Sequence, residues 1–386
     1  MKQLNIVIAG AGMGGLTTAI ALQQANHKVH VYDKVSKLQP AGSAISIWSN
    51  GVRVLDKLGV GGAIRVVSGN LNQMSFRNKE GQQLTTFSLI PLYQEINESA
   101  CPISRTHLQE VLLKAVGEQH VTVNNGVIGY EQGENSVTVL LSNGEKIKAD
   151  VLVAADGTHS KLRNDVNNQV IERRYCGYVN WNGRIKYSPE LAIGRDEWIQ
   201  HVSDGKRVSL MPMGDDLYYF FFDVPLPQGS SAEKSQYKDE LKKYFEGWSA
   251  PIQYLIDNFD PATTTRVEVY NTEPLPKLTK GNVVLIGDAA HATSPDLGQG
   301  GCLAMEDAWV LADELSHDNP IKQALTNYQT RRMDRVTDIV GKAYNKALIT
   351  HGYKKQEMLD WYEELALETG ENIRNGLKKT ILGGVI

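Results

Sequence analysis

Gly10, Gly12 and Gly15 stand at the spacing G-x-G-x-x-G near the start of a 386-residue chain, and Asp33 follows. Glycines so placed permit a tight turn, the close approach of a pyrophosphate to the backbone, and close packing of a helix on a sheet. The unpaired N–H groups and positive dipole end of the following helix complete a cradle for phosphates. Asp33 is placed to accept a hydrogen bond from a ribose hydroxyl. The elements that must hold these residues are written around them. Leu4 to Ala9 is a short apolar, β-branched run, as expected for a strand buried on both faces. Leu16 to Gln24 reads as an Ala-rich helix, and Val29, Val31 and Tyr32 form a second strand ending at Asp33. Strand, glycine turn, helix, strand and acid in this order specify a nucleotide-binding βαβ unit.

Other residues with chemical potential lie further along. Asp156-Gly157 closes the strand-like run Lys146 to Ala155, and Gly287-Asp288 follows the apolar strand Asn282 to Ile286. Asn50 reads as the cap of a helix through Leu58, and Ser104 as the cap of a helix within Pro102 to Val116. Arg105 then falls in a first turn, where the helix dipole disfavours a cation, so an anionic partner is expected for it. The small-residue stretch Ala41 to Ile47 is equally a plain loop or a place where backbone lies close to a ligand.

Leu71 to Leu89 alternates as strands do, with Gly81 at a turn, and Val121 to Val139 gives further strands. Tyr175 to Tyr187, Val208 to Met213, Leu217 to Val224 and Thr264 to Tyr270 are strand-like and rich in aromatics. They predict an antiparallel sheet different in kind from the βαβ unit, with a helix over Gln236 to Trp248 between its strands. From Leu303 the chain reads as helical almost to its end, with breaks at Pro320 and Gly352.

A chain of this length exceeds one ordinary core, so two domains or one large composite are expected. The net charge of −4, without a long basic run, argues against nucleic acid or an anionic membrane as partner. No run of roughly 18 apolar residues is present to span a membrane. The opening apolar stretch breaks at Gly10 and reads as the first strand rather than a secretion signal. Cys101, Cys176 and Cys302 are far apart and lack metal-ligand spacing. They predict reduced thiols, a cytoplasmic protein and no metal. Oligomeric state is not legible.

The glycine fingerprint at 10–15, Asp156-Gly157 after a strand and Gly287-Asp288 after a strand, in this order and at these distances, resemble the flavoprotein aromatic hydroxylases, the FAD-dependent group A monooxygenases. The resemblance covers most of the chain. It implies an α/β fold, a Rossmann-like FAD-binding domain of the aromatic hydroxylase type with an inserted β-sheet substrate domain. Segments of roughly 1–70, 100–175 and 275–345 would build the FAD domain, 71–99 and 176–274 the substrate domain, and 346–386 the last helices. FAD is the implied bound cofactor. Its ADP half would lie on Gly10, Gly12, Gly14, Gly15 and Asp33, with further contacts at Lys34, Ser46 and Val127. Asp156 would lie near both FAD and the pyridine nucleotide, Asp288 at the ribityl chain, and Arg105 near the flavin. The loop Gly298, Gln299, Gly300, Gly301 and Cys302 would pass beside the isoalloxazine ring. The family often carries Glu where Asp33 stands, which keeps the carboxylate, and Asn where Cys302 stands, which leaves any contact there to backbone.

Gly177 to Gly183, Lys206 to Pro212, Tyr218 to Pro225, and Pro295-Asp296 with Gly298 to Cys302 are similar to the bacterial members of this family that act on urate. The implied reaction is hydroxylation of urate at C5 to 5-hydroxyisourate, a step of purine degradation. NADH and O₂ are the expected co-substrates, and no motif distinguishes NADH from NADPH. The flavin would supply the hard step through a C4a-hydroperoxide that transfers an electrophilic OH. Urate is anionic at neutral pH and already nucleophilic at C5, so a fixed cation matters more than a strong base. Arg207, ahead of an aromatic strand, has a planar fork suited to a planar purine, although on composition alone it reads as a surface residue after the Asp204-Gly205 turn. Tyr219 shares a strand face with Phe221, opposite Phe220 and Phe222. It either gives its hydroxyl to urate or merely packs. Asp296 either orients Arg207, passes a proton to the peroxide leaving group, or is a turn residue after Pro295. Arg207, Tyr219 and Asp296 form the expected catalytic group, with Arg207 and Tyr219 binding substrate and the run Phe220 to Phe222 excluding water. His159 and His291, beside the FAD motifs, are expected to cap rather than catalyse. Three other readings stay open: a hydroxylase of salicylate, hydroxybenzoate or a hydroxynicotinate, an NAD-dependent dehydrogenase, and a non-catalytic flavin-binding module. The dehydrogenase leaves Asp156-Gly157 and Gly287-Asp288 unexplained.

Overall fold

The structure is a computed structural model that describes residues 2–38 and 43–385, so Ala41 and Gly42 of the small-residue stretch lie outside the described residues. At its centre Asn5–Ala9 pairs in parallel with Lys28–Tyr32 on one side and Val151–Ala154 on the other. Val283–Leu285 extends the sheet beyond Val151–Ala154, and Val121–Thr122 beyond Lys28–Tyr32. The short strand Thr279–Lys280 closes one edge of this six-stranded sheet antiparallel. Ile6 to Ala9 and Val151 to Ala154 are buried on both faces, which is why these strands read as unbroken apolar runs. Helix Met13–Gln24 packs between the sheet and helix Gly300–Leu315.

The run Lys146 to Ala155 is not one strand. Lys146–Ala149 pairs antiparallel with Val137–Leu141 in a three-stranded sheet, while Val151–Ala154 belongs to the central sheet. Asp150 is the joint, its carboxylate accepting the Asn5 N–H at 2.7 Å while its own N–H donates to the Asn5 carbonyl at 2.8 Å.

A seven-stranded sheet forms the other half of the molecule. Its order is Thr265–Thr272, Arg173–Lys186, Leu217–Pro225, Lys206–Pro212, Glu197–Ser203, Gln73–Arg77 and Gln83–Ser88. Its four aromatic-rich strands pair antiparallel as expected, and the sheet as a whole is mixed because Gln73–Arg77 arrives from a distant part of the chain and runs parallel to Glu197–Ser203. Phe220, Phe222, Val208 and Leu210 point to the back face. There they meet Leu241, Phe245, Ile252, Leu255 and Phe259 in one apolar cluster. The expected helix over Gln236 to Trp248 is shorter, Tyr237–Tyr244, and a second helix, Ala250–Asn258, follows after Gly247 turns the chain at φ +75°.

Two caps differ in outcome. Ser104 caps helix Arg105–Val116 as expected, its Oγ accepting the His107 N–H at 3.0 Å, but Cys101–Ser104 before it is a strand paired with Ala44–Ile47. Asn50 is no cap: helix Ser49–Lys57 begins one residue earlier, and Asn50 turns inward. Beyond Leu315 lie helices Ile321–Thr350, Lys355–Leu367 and Glu371–Leu382, broken after Pro320 and Gly352 as expected and again at Gly370. No helix among the described residues is long and apolar enough to cross a membrane.

Candidate active site

The three glycine-and-acid motifs meet at one end of the central sheet. A Cβ on Gly10 would stand 2.3 Å from the Ala155 carbonyl oxygen and 3.3 Å from Asp156 Cα, so the first and second motifs lie back to back. Ala304 Cβ would be 3.3 Å from a Cβ on Gly14 and 3.2 Å from one on Gly287, which brings the third motif to the same place. The loop before helix Gly300–Leu315 closes the group. A Cβ on Gly301 would meet Ile45, and one on Gly298, itself at φ +62°, would meet Trp48 Nε1 at 2.8 Å and Ser46 Oγ at 3.2 Å. Arg105 begins its helix here with Nε donating to the Ala44 carbonyl at 3.4 Å. Among the described residues no carboxylate pairs with it, so the expected anionic partner is not supplied by the described part of the chain. Lys34 and Val127 share the far end, where a Cβ on Gly126 would touch Lys34 Cβ at 2.7 Å.

Several features of this groove fit a dinucleotide with a long flexible middle. A Cβ on Gly12 or Gly157 would meet nothing within 4 Å, so the bare backbone there makes room for something outside the chain. Among the described residues Asp156 Oδ1 and Trp48 Nε1 are buried without a hydrogen-bond partner, and burial pushes the Asp156 carboxyl upward against the pull of Ser160. Asp288 is exposed between the buried Gly287 and Ala289, at the start of a short helix. Asp33 sits as expected at the end of its strand, yet its Oδ2 already accepts the Ala11 N–H at 2.7 Å and its Oδ1 the Val35 N–H at 3.0 Å. It therefore shapes the glycine turn as well as offering remaining lone pairs to a ribose. The Cys302 thiol points away into the core toward the Trp48 carbonyl, and burial raises it to about 12, so only backbone of Cys302 borders the groove.

The front face of the seven-stranded sheet carries the second half of the site. Register places Asn180, Asp223 and Arg207 in one row, Asn182, Phe221 and Ser209 in the next, and Arg184, Tyr219 and Met211 in the third. Arg207 is not a surface residue. Its side chain is 6% exposed, between the fully buried carboxylates of Asp223 and Asp296. Nε donates to Asp223 at 2.8 Å, and Nη2 reaches Asp223 at 2.7 Å and Asp296 at 3.0 Å. Among the described residues Nη1 makes no hydrogen bond. Burial works against the guanidinium charge, but Asp223 and Asp296 outweigh it and the pKa is raised. Phe221 lies beneath the guanidinium, 5.1 Å from its carbon to the ring centroid, and Tyr219 stands 5.8 Å along the same face. Burial raises the Tyr219 phenol to about 12, with Arg105 pulling the other way, which ties the sheet to the groove. Of the Phe220 to Phe222 run only Phe221 faces the site. Phe220 and Phe222 belong to the back cluster, because alternate residues of a strand point to opposite faces.

Asp296 is more than a turn residue: its Oδ1 holds Arg207 and its Oδ2 accepts the Tyr178 hydroxyl at 2.8 Å. Tyr178, Asn180 and Asp223 lie in stretches the sequence reading singled out, Gly177 to Gly183 and Tyr218 to Pro225, but were given no role there. Asp223 did carry a signal, since a lone carboxylate inside an aromatic strand must find a cation. A buried network behind the groove was missed altogether. Asp307 Oδ2 accepts the Gly287 N–H at 2.8 Å and contacts His291 Nε2 at 2.6 Å. Its Oδ1 accepts Arg332 Nε at 2.7 Å. Asn50 Nδ2 donates to Gln299 at 2.9 Å and Glu306 at 2.7 Å, and Glu306 pairs with Arg332 at 2.8 Å. His291 is thus a structural contact of Asp307.

Residues 3–343 match the sequence profile of a family described as FAD binding domain. An FAD-dependent urate hydroxylase of Klebsiella pneumoniae subsp. pneumoniae is 44% identical over 382 residues, covering 99% of each chain. One of Mycolicibacterium vanbaalenii is 41% identical over 389 residues, covering 99% of this chain and 97% of its own. Among solved structures, the crystal structure of Klebsiella pneumoniae HpxO complexed with FAD and uric acid superposes with a TM-score of 0.96 at 43% identity, covering 99% of this chain and 97% of that one.

Proposed function

Since this chain belongs to the FAD binding domain family, with the fold of the flavoprotein aromatic hydroxylases, we propose that it hydroxylates urate with NADH and O₂ as co-substrates. The observation that carries the reading is the buried Arg207, held by two carboxylates with one edge free on the same face as Tyr219 and Phe221. A planar anion rich in acceptors suits that edge.

Gly10, Gly12, Gly14, Gly15 and Asp33 would hold the ADP half of FAD, with Lys34, Ser46, Arg105, Val127, Asp156 and Asp288 along its length. The backbone of Gly298 to Cys302 would border the flavin. When bound, FAD supplies the redox chemistry, activating O₂ with electrons from the pyridine nucleotide and delivering an electrophilic oxygen to the substrate ring.

Within the site Arg207 Nη1 donates to the urate anion in a setting where a charge-assisted hydrogen bond is strong. Asp223 and Asp296 fix the direction of that donor. The Tyr219 phenol, raised by burial, stays protonated at neutral pH and gives a second hydrogen bond to a urate oxygen. Asp296, with both oxygens occupied by Arg207 and Tyr178, serves to orient rather than to pass a proton. Phe221 walls the pocket and helps to keep water from the reacting oxygen. The division into two separate sheets supports 1–70, 100–175 and 275–345 as the segments of the FAD domain, 71–99 and 176–274 as the substrate domain, and 346–386 as the last helices. Three buried free cysteines suit a reducing cytoplasm.

The test is NADH oxidation by the purified yellow protein, with and without urate, following urate loss and peroxide together. Urate-stimulated oxidation with one urate lost per NADH supports the reading. Stimulated oxidation that releases only peroxide would make urate a non-reacting effector and point to another aromatic acid. No stimulation by urate overturns the assignment.

A further inference from the structure

Tyr178 belongs to none of the recognised motif roles, yet the strand bends to deliver it. The pairing of Arg173–Lys186 with Thr265–Thr272 slips in register between Tyr175 and Val179, and Gly177 within that slip adopts φ +89°. A bulge of this kind re-aims a side chain. Here it sends Tyr178, fully buried, to Asp296 Oδ2 at 2.8 Å. The bulge is gripped from outside by the corner that ends the long helix. Tyr353 donates its hydroxyl to the Gly177 carbonyl at 2.7 Å, and its ring occupies the space where a Cβ on Gly177 would fall. His351 stacks on the Tyr178 ring at 3.9 Å and bonds through Nδ1 to the Gly205 carbonyl at 3.0 Å, two residues before Arg207. One helix end therefore fixes both strands that converge on Asp296.

We propose that Tyr178, aimed by the bulge and held by His351 and Tyr353, is a positioning residue that fixes Asp296 and through it the free edge of Arg207. The proposal rests on the urate reading above. Among the described residues the Asp296 side chain has two partners, Arg207 and Tyr178. Lys346 and His351 face it from the long helix, but neither bonds to it: Lys346 Nζ lies over the Trp361 ring and His351 is turned to Gly205. Without the Tyr178 hydroxyl one carboxylate oxygen stays buried and unpaired, a cost that rotation of Asp296 relieves. Rotation releases Arg207 Nη2, and the guanidinium then turns toward Asp223 alone.

Tyr178→Phe keeps the ring stack on His351 and removes only the hydroxyl. The expected result is a melting temperature and FAD content close to wild type, a three- to tenfold rise in urate KM with kcat changed less than twofold, and more peroxide per NADH. Urate Kd, read from the shift in melting temperature on adding urate, should rise in parallel. In an Asp296→Ala background the same Tyr178→Phe change should alter urate Kd by less than twofold, because the residue it acts through is gone. Tyr353→Phe, at a half-exposed position, should reproduce a smaller rise in KM. Wild-type KM and Kd for Tyr178→Phe, or an equal multiplicative effect with and without Asp296, overturns the proposal while leaving the urate reading intact. Loss of urate-dependent turnover in the wild type would overturn that reading first.

Discussion

Arg207 illustrates how much a single buried cation must accomplish. Replacing it with Gln leaves Asp223 and Asp296 buried without their counter-charge, and breaking a buried pair costs roughly 3–5 kcal/mol. Arg207→Gln should therefore lower the melting temperature. It should also raise urate KM by about tenfold or more, since a hydrogen bond to a charged group contributes roughly 1.5–3 kcal/mol. Steady-state kinetics with peroxide detection reads both KM and coupling, and an unchanged KM would remove Arg207 from substrate binding. Lys346 presents the opposite case, a cation that forms no ion pair among the described residues. Its Nζ sits 3.4 Å from the Trp361 ring centroid, and burial together with Arg207 lowers it to about 7 despite Asp296 and Glu364. An unfolded lysine titrates near 10.4, so between about 7 and about 10.4 the folded chain holds fewer protons than the unfolded one. Stability from this residue accordingly rises with pH across that window, and the whole penalty of burying the charge falls below it. Lys346→Met should raise the melting temperature most at pH 6, and its advantage should shrink through pH 8 and 9. A constant difference across that range would show that Lys346 is not titrating there.

The glycine turn shows why one motif contains two kinds of constraint. Gly10 is at φ +108° and a Cβ there would stand 2.3 Å from Ala155 oxygen, so Gly10→Ala strains the chain itself. Gly12 lies at an ordinary φ of −72° with open space around its missing Cβ. Gly12→Ala should leave the melting temperature of the FAD-free protein within a degree or two and weaken FAD binding about tenfold or more, whereas Gly10→Ala should lower that melting temperature outright. Equal losses of fold in both would mean that Gly12 has a packing role. These elements were legible in the sequence because their constraints are local: a turn needs its glycine, a helix its Ser104 cap, a doubly covered strand its apolar run. Glu197–Ser203 was missed because its residues are buried on both faces among polar types, although its hairpin with Lys206–Pro212 across Asp204-Gly205 is local; only its other neighbour, Gln73–Arg77, arrives from far along the chain. Asn50 misled for the same reason. Its type favours a cap, but Gln299 and Glu306, some 250 positions away, determine where it points. Motif context brought Arg207, Tyr219 and Asp296 forward as candidates and also contained Tyr178 and Asp223, but the contacts that give those two a place depend on a bulge and a register that no short window contains.

Across the whole molecule, one buried cation on the last long helix joins the loops that would hold FAD. Arg332 is fully buried and contacts Asp307, Glu306 and the Leu303 carbonyl. Asp307 in turn fixes the Gly287 N–H and His291, and Glu306 reaches Gln299 through Asn50. Burial opposes the Asp307 charge, but His291 and Arg332 hold its pKa below the usual carboxylate range. Its contribution to stability is therefore present above about pH 4 and is lost as pH falls toward the folded value. Arg332→Met keeps most of the side-chain volume and removes the buried cation that Asp307 and Glu306 share, while Glu306 keeps Arg335 at 3.1 Å and Asp307 keeps His291 at 2.6 Å, so about 3 kcal/mol of stability, the lower end for a broken buried pair, should be lost in urea unfolding near neutral pH. A purely local defect would stop there. Because Gly287 and Gln299 hang from the same carboxylates, the backbone that would border the ribityl chain and flavin should also loosen, and FAD should dissociate several-fold more readily at temperatures where the variant is still folded. Fluorescence of released FAD separates the two effects: a destabilised variant with wild-type FAD affinity would make the network a core device only, and loss of both would show that the helix far from the glycine turn helps set the shape of the cofactor groove.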